Sequence, residues 1–259
     1  MSAIPLALSF LFCTALAASS VDEIESGIEE RLGQYVPVDL ALVDEEGRTV
    51  RLGDLIDRPT IVSLVYYECP SVCRPLLDEV STMLGKLSEM DLEAGEDYRV
   101  LTISFDEMDS PRGSARLKKE YYRTLPDGFP GNAWTFLTGD SSAVHEFTQS
   151  VGFSFKRVDN DFAHPTTLVV LAPGGKITRY LFGARYLPTD IKLALLEASE
   201  GRVGPTIAKF FQFCFSYDPE GRKYVLNMTR VVGASMLFGL AGFVVFLTAS
   251  GRRRSIKAG

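Results

Sequence analysis

Two thiols four residues apart, in Cys69-Pro70-Ser71-Val72-Cys73, are the side chains of this 259-residue protein best placed to do chemistry. Helical spacing puts both sulfurs on one face, with Cα atoms about 6 Å apart. At that separation a disulfide can form, and two thiolates can converge on one soft metal ion. A purely structural disulfide is the weaker reading, because closing so short a loop removes little unfolded-state entropy. The chain has two histidines. His145, between Val144 and Glu146 in a helical stretch, reads as solvent-facing or locally bonded. His164, in Asp161-Phe-Ala-His-Pro-Thr166, reads by itself as a turn residue beside a proline. Asp106 falls at the exit of a strand predicted beside the cysteine strand, an edge where α/β sites collect. A turn or helix-capping role fits it as well.

The cysteines need a strand and a helix to present them. Thr60 to Tyr67 is apolar, β-rich and almost uncharged, as a buried parallel strand is. Beyond Cys73, apolar residues recur at Leu76, Leu77, Val80, Met83, Leu84 and Leu87, the stripe of a helix packed on a core. The thiols therefore lie at a strand-to-helix turn, where backbone N–H groups and the helix dipole favour a thiolate. Glu68 would oppose a thiolate if close, and Arg74 would favour one or simply lie on the surface. Around this unit the pattern predicts a hairpin over Pro37 to Leu55 with its turn at Asp44-Glu-Glu-Gly47. Further strands are predicted at Tyr98–Ser104, Trp134–Thr138 and Phe153–Val158, with helices at Ser114–Leu125 and Ser141–Val151. A hairpin over Thr166–Leu171 and Ile177–Phe182 turns at Pro173-Gly-Gly175, and a helix at Thr189–Ala198 closes the unit. A mixed sheet covered by helices on both faces is the natural packing of this order.

Both ends are apolar. Residues 1–18 read as a signal peptide, with Thr14-Ala15-Leu16-Ala17 supplying the small-x-small cleavage pattern; an uncleaved anchor is the alternative. Cys13 is a small apolar residue of that segment. Residues 19–36 form an acidic lead-in, solvated or a short helix. Residues 231–251 are uncharged and long enough to span a ~30 Å hydrocarbon core. The basic tail, residues 252–259, places the preceding domain on the outer side by the positive-inside rule. Between domain and span, residues 201–230 read as an aromatic juxtamembrane linker. It carries Cys214, read as a buried inert thiol, with a transient metal ligand or a partner-facing thiol as the alternative. The net charge of −6 argues against nucleic acid, which requires basic patches. An extracytoplasmic compartment is oxidising, so a reduced thiol pair there needs a purpose.

The pieces Leu42–Val50, Cys69-Pro-Ser-Val-Cys73, Ile103-Ser-Phe-Asp106, Asp109-Ser-Pro111, Trp134-x-Phe-Leu-Thr-Gly139 and His164 together resemble the Sco/SenC family of copper proteins. They extend over about residues 38 to 200. The resemblance implies an α/β, thioredoxin-like mixed sheet flanked by helices over residues 37–200, joined to a C-terminal transmembrane helix. It implies a copper ion, Cu(I) or Cu(II), held by Cys69, Cys73 and His164, with Asp106 orienting the imidazole or a copper-bound water. In thioredoxin-like folds the residue before a cis-proline packs beside the cysteines, so His164 is expected there if Pro165 is cis.

The implied function is delivery of copper to the dinuclear copper centre of a cytochrome c oxidase. The copper-binding oxidase subunit is then the partner, and the location is a bacterial cytoplasmic membrane with the domain outside. The alternative is a thiol-disulfide oxidoreductase acting on that subunit's cysteines, with the more exposed Cys69 attacking. A peroxiredoxin-like peroxidase shares the fold but suits a Cys-x3-Cys pair and this histidine poorly. Three departures from the family stand out: Arg74 after the second cysteine, Pro165-Thr166-Thr167 after the histidine, and a C-terminal anchor.

Overall fold

The computed structural model describes residues 27–69, 73–159, 161–183 and 185–204, together with the backbone of 215–218 and 223–226. In chain order the first elements are β1 (Gly27–Ile28), β2 (Ala41–Val43), β3 (Thr49–Arg51), α1 (Leu52–Leu55), β4 (Thr60–Val65) and α2 (Cys73–Ser88). Next come β5 (Arg99–Ser104), α3 (Pro111–Tyr122), β6 (Trp134–Leu137), α4 (Ser141–Ser150), β7 (Phe153–Ser154), β8 (Lys156–Val158) and β9 (Asp161–Ala163). The order closes with β10 (Thr167–Leu171), β11 (Ile177–Phe182), α5 (Pro188–Ser199), β12 (Phe215–Asp218) and β13 (Lys223–Leu226).

A five-stranded sheet in the order β11-β10-β4-β5-β6 forms the centre. The β4, β5 and β6 strands are parallel, while β10 runs antiparallel to β4 and to β11. Every residue of β4 and of β10 is buried, so both faces of the sheet are covered. The apolar stripe of α2 is buried as the periodicity predicts, and the helix packs against α3 and α5. Polar groups inside the sheet are paired with one another. Trp134 donates its indole N–H to Thr102 Oγ1 at 2.8 Å, and Ser63 Oγ lies 2.8 Å from the same oxygen. Those bonds account for a tryptophan and two hydroxyls at full burial.

The leading hairpin forms as read. Asp44 closes its turn by accepting from the amides of Glu46 (3.0 Å) and Arg48 (2.8 Å). Its end laps onto the sheet edge, Val43 and Thr138 exchanging backbone hydrogen bonds of 2.8 and 2.9 Å. The Phe153–Val158 stretch, read as one strand, is two: β7 pairs with β1, and β8 pairs with β9. Phe153 and Phe155 turn into an aromatic cluster, whereas all of β8 is exposed, so the two halves serve different partners. The end of the acidic lead-in is the strand β1, where a solvated segment or short helix was expected. Within residues 201–230, read as a linker, β12 and β13 form an antiparallel hairpin. The expected signal segment, Cys214, the span 231–251 and the basic tail lie outside the described residues. Among the described residues no helix is long and apolar enough to cross a membrane.

Gly152 marks how tightly β1 is held. Its φ is +63°, and an added Cβ would lie 1.9 Å from the carbonyl oxygen of Glu29. The Glu29 amide in turn donates to the Gly152 carbonyl at 2.9 Å. We expect Gly152→Ala to cost more than about 1 kcal/mol, through the left-handed φ and the backbone clash. Urea unfolding of wild type and variant measures this, and equal midpoints would contradict it.

Candidate metal centre

β4 delivers the chain into a turn over Tyr66-Tyr67-Glu68-Cys69, and side chains from neighbouring strands hold that turn. The Tyr67 amide donates to Asp109 Oδ2 at 2.7 Å, and Ser104 Oγ donates to the same oxygen at 2.5 Å. The Tyr67 hydroxyl reaches the carbonyls of Leu137 (2.6 Å) and Thr102 (3.2 Å) across β5 and β6. The Cys69 amide donates to the Tyr66 carbonyl at 3.3 Å. Cys73 is the first residue of α2, and its amide donates to Cys69 Sγ at 3.3 Å. A helix N-terminus therefore faces the first sulfur, as the strand-to-helix reading requires. Both residues are thiols, exposed by only 5% and 2%. Cys69 is the more exposed of the two, as expected, though both are buried.

His164 comes from the opposite direction in the chain. Leu168 pairs with Ser63, so β10 begins beside the end of β4 and the residues just before β10 land beside the cysteine turn. His164 Nε2 lies 3.7 Å from Cys73 Sγ. The donor atoms of Cys69, Cys73 and His164 all lie within 4.8 Å of one another. All described peptide bonds are trans, Pro165 included. The juxtaposition expected of a cis-proline corner is achieved by strand pairing instead. His164 Nδ1 sits 3.0 Å from the Pro165 carbonyl, which can only accept. Nδ1 thus carries the proton, and Nε2 turns its lone pair toward the sulfurs.

The pocket around these groups is aromatic. The imidazole ring lies with centroids 5.0 Å from Phe105, 6.1 Å from Tyr66 and 6.3 Å from Phe153. Burial pushes the Cys73 thiol far above its usual range, and the neighbouring Cys69 sulfur adds to the rise. Burial pulls the His164 imidazolium down, only partly opposed by its bond to Pro165 and by the Asp161 charge. Without a cation the pocket favours a neutral imidazole and a protonated Cys73. Two sulfurs and one imidazole nitrogen are a donor set for a soft ion; thiolates select Cu(I), and imidazole lets the same site accept Cu(II).

The remaining candidates lie outside this cluster. Asp106 Oδ1 accepts from the Met108 amide and from Arg157 Nη2, both at 3.1 Å, which is the turn role. Glu68 pairs with Arg116 and Arg74 with Glu120, each at 2.6 Å on the exposed surface. His145 is exposed on α4. Three residues with a part in the site escaped the sequence reading: Asp109, Tyr66 and Asp161. The last belongs to the β8–β9 hairpin, whose sequence signal was the polar pair Asp159-Asn160; Asp159 has φ +53°.

Residues 29–194, well over half of the chain, match the SCO1/SenC family model. Comparison with curated proteins gives no significant match. Among solved structures, a protein of Aquifex aeolicus VF5 is 31% identical, with a TM-score of 0.58, covering 66% of this chain and 95% of that one. BsSco, a member of the Sco family of cytochrome c oxidase assembly proteins in which a disulfide switch was identified, is 21% identical. Its TM-score is 0.53, with 66% of this chain and 97% of that chain covered. Arabidopsis thaliana ScoI, solved with copper bound, is 16% identical with a TM-score of 0.51, covering 62% of this chain and 96% of that one. The last two share the thioredoxin-like fold at this level of identity. By the extent of the family match, this chain belongs to the SCO1/SenC family.

Proposed function

We propose that this protein binds copper through Cys69, Cys73 and His164 and delivers it to the dinuclear copper centre of a cytochrome c oxidase. The observation that carries the reading is the donor cluster itself, with three donor atoms within 4.8 Å and the imidazole lone pair directed inward. The copper found in Arabidopsis ScoI and the oxidase-assembly family of BsSco support it. In this reading residues 231–251 anchor the chain in a bacterial cytoplasmic membrane. The domain then faces outward, and residues 201–230 keep it near the membrane subunit it serves. Copper is cargo. Donors of the acceptor would replace Cys69, Cys73 and His164 one at a time, each new bond to copper matched by one broken, so the ion keeps its oxidation state and no oxidant or reductant is needed. Burial of both sulfurs suits this role, since it shields a bound ion until an acceptor arrives.

A thiol-disulfide oxidoreductase is the second reading, favoured by the closeness of the sulfurs and by the Cys73 amide that faces Cys69. Burial of both thiols counts against it, because an attacking thiolate must reach its substrate.

Titration of the purified chain should give one copper per molecule, and His164→Ala should lower Cu(II) affinity at least tenfold, in the ~10–100-fold range typical of weakened metal sites. Unchanged affinity, with rapid reduction of a disulfide substrate, would favour the oxidoreductase. Cys73→Ser should weaken Cu(I) and Cu(II) alike. A second expectation follows from the elevated Cys73 thiol: across the neutral range copper must displace its proton, so affinity should rise with pH. The slope is about tenfold per pH unit for each proton released, and competition with a chelator at several pH values reads it. A pH-independent affinity would contradict a thiol ligand at Cys73.

A further inference from the structure

The hairpin that ends at His164 is not part of the central sheet. β8 and β9 form a two-stranded sheet of their own, and such a hairpin is marginally stable alone. What holds it over the cysteines is therefore a matter of side chains. Arg157 pairs with Asp106 at 3.1 Å, but its side chain is half exposed, and pairs of that kind contribute little. Phe162 packs on Tyr66, Phe105 and Phe155 with centroids 5.0 to 5.7 Å apart, a contact without direction along the hairpin. A directional bond joins the hairpin to the cysteine turn. The Tyr66 hydroxyl, on a side chain 4% exposed, donates to Asp161 Oδ1, and the Phe162 amide donates to the same oxygen at 2.7 Å.

The positions of the two partners matter. Tyr66 stands three residues before Cys69 and accepts the Cys69 amide through its carbonyl. Asp161 stands three residues before His164 at the start of β9. The phenol therefore ties the turn that presents the thiols to the hairpin that presents the imidazole, through groups that are not themselves metal donors. We propose that the Tyr66–Asp161 hydrogen bond is the positioning element of this centre. It fixes His164 at contact distance from the sulfurs and so determines how well the site holds Cu(II), which needs the imidazole, relative to Cu(I), which two thiolates can hold.

The inference rests on the copper reading above, and a double-mutant cycle separates the two. Tyr66→Phe keeps the ring and its aromatic contacts but removes the donor. In the full chain in detergent it should lower Cu(II) affinity about tenfold, at the low end of the ~10–100-fold effect of outer hydrogen-bond partners. It should also shift the thiolate-to-Cu(II) charge-transfer band while lowering Cu(I) affinity less than Cu(II) affinity. Asp161→Ala should reproduce this, and Asp161→Asn, which retains an oxygen acceptor, should keep the wild-type band. In the His164→Ala background, Tyr66→Phe should have no further effect on residual copper affinity. Three results would overturn the inference: an unchanged band in Tyr66→Phe, an equal loss in the His164→Ala background, or a loss in Asp161→Asn as large as in Asp161→Ala. If His164→Ala itself leaves Cu(II) affinity unchanged, the copper reading fails first.

Discussion

The hydrogen bond from His164 Nδ1 to the carbonyl of the next residue, at 3.0 Å, decides what the pocket can hold. It consumes one ring nitrogen as a donor and leaves the other as a lone pair 3.7 Å from Cys73 Sγ. An imidazole with the opposite tautomer would present a proton to two sulfurs and could ligate nothing. The aromatic surroundings reinforce the choice by disfavouring the imidazolium, so the ring is neutral at the pH where a metal must enter. Burial likewise keeps Cys73 protonated until a cation replaces the proton. The centre is thus poised for a positively charged guest and resistant to acting as a loose thiolate.

Geometry of this quality depends on the sheet. β4 and β10 are antiparallel neighbours, so the end of one and the beginning of the other share an edge, and that edge receives both the cysteine turn and the histidine. Tyr67, Ser104 and Asp109 then pin the turn to the adjacent strands through bonds of 2.5 to 2.7 Å. In the proposed reading, the imidazole and the burial of both sulfurs suit this corner to a metal ion.

Much of this was readable in residue order. The Cys-x3-Cys turn, the α2 stripe and the uncharged β4 run announce themselves because burial leaves a strong periodic mark. Trp134 stood out as a motif, and its buried bond to Thr102 explains why a tryptophan belongs there. The histidine was readable only through family resemblance, since its approach to Cys73 depends on a pairing between strands about a hundred residues apart. Its proline needed no cis bond, because the β4–β10 register brings the segment that carries His164 beside the cysteine turn. The β8–β9 hairpin was missed for a different reason. Its strands are three residues each, those of β8 exposed, and they carry too little apolar alternation to register. Asp161 and Tyr66 were silent because a hydrogen bond between distant polar residues leaves no local pattern.

Everything turns on which atoms hold the metal. X-ray absorption at the copper edge of the loaded protein counts them directly. Two sulfur scatterers and one imidazole nitrogen, with the nitrogen lost in His164→Ala, are the predicted result. A spectrum fitted by oxygen and nitrogen alone, or one unchanged by that substitution, would contradict it.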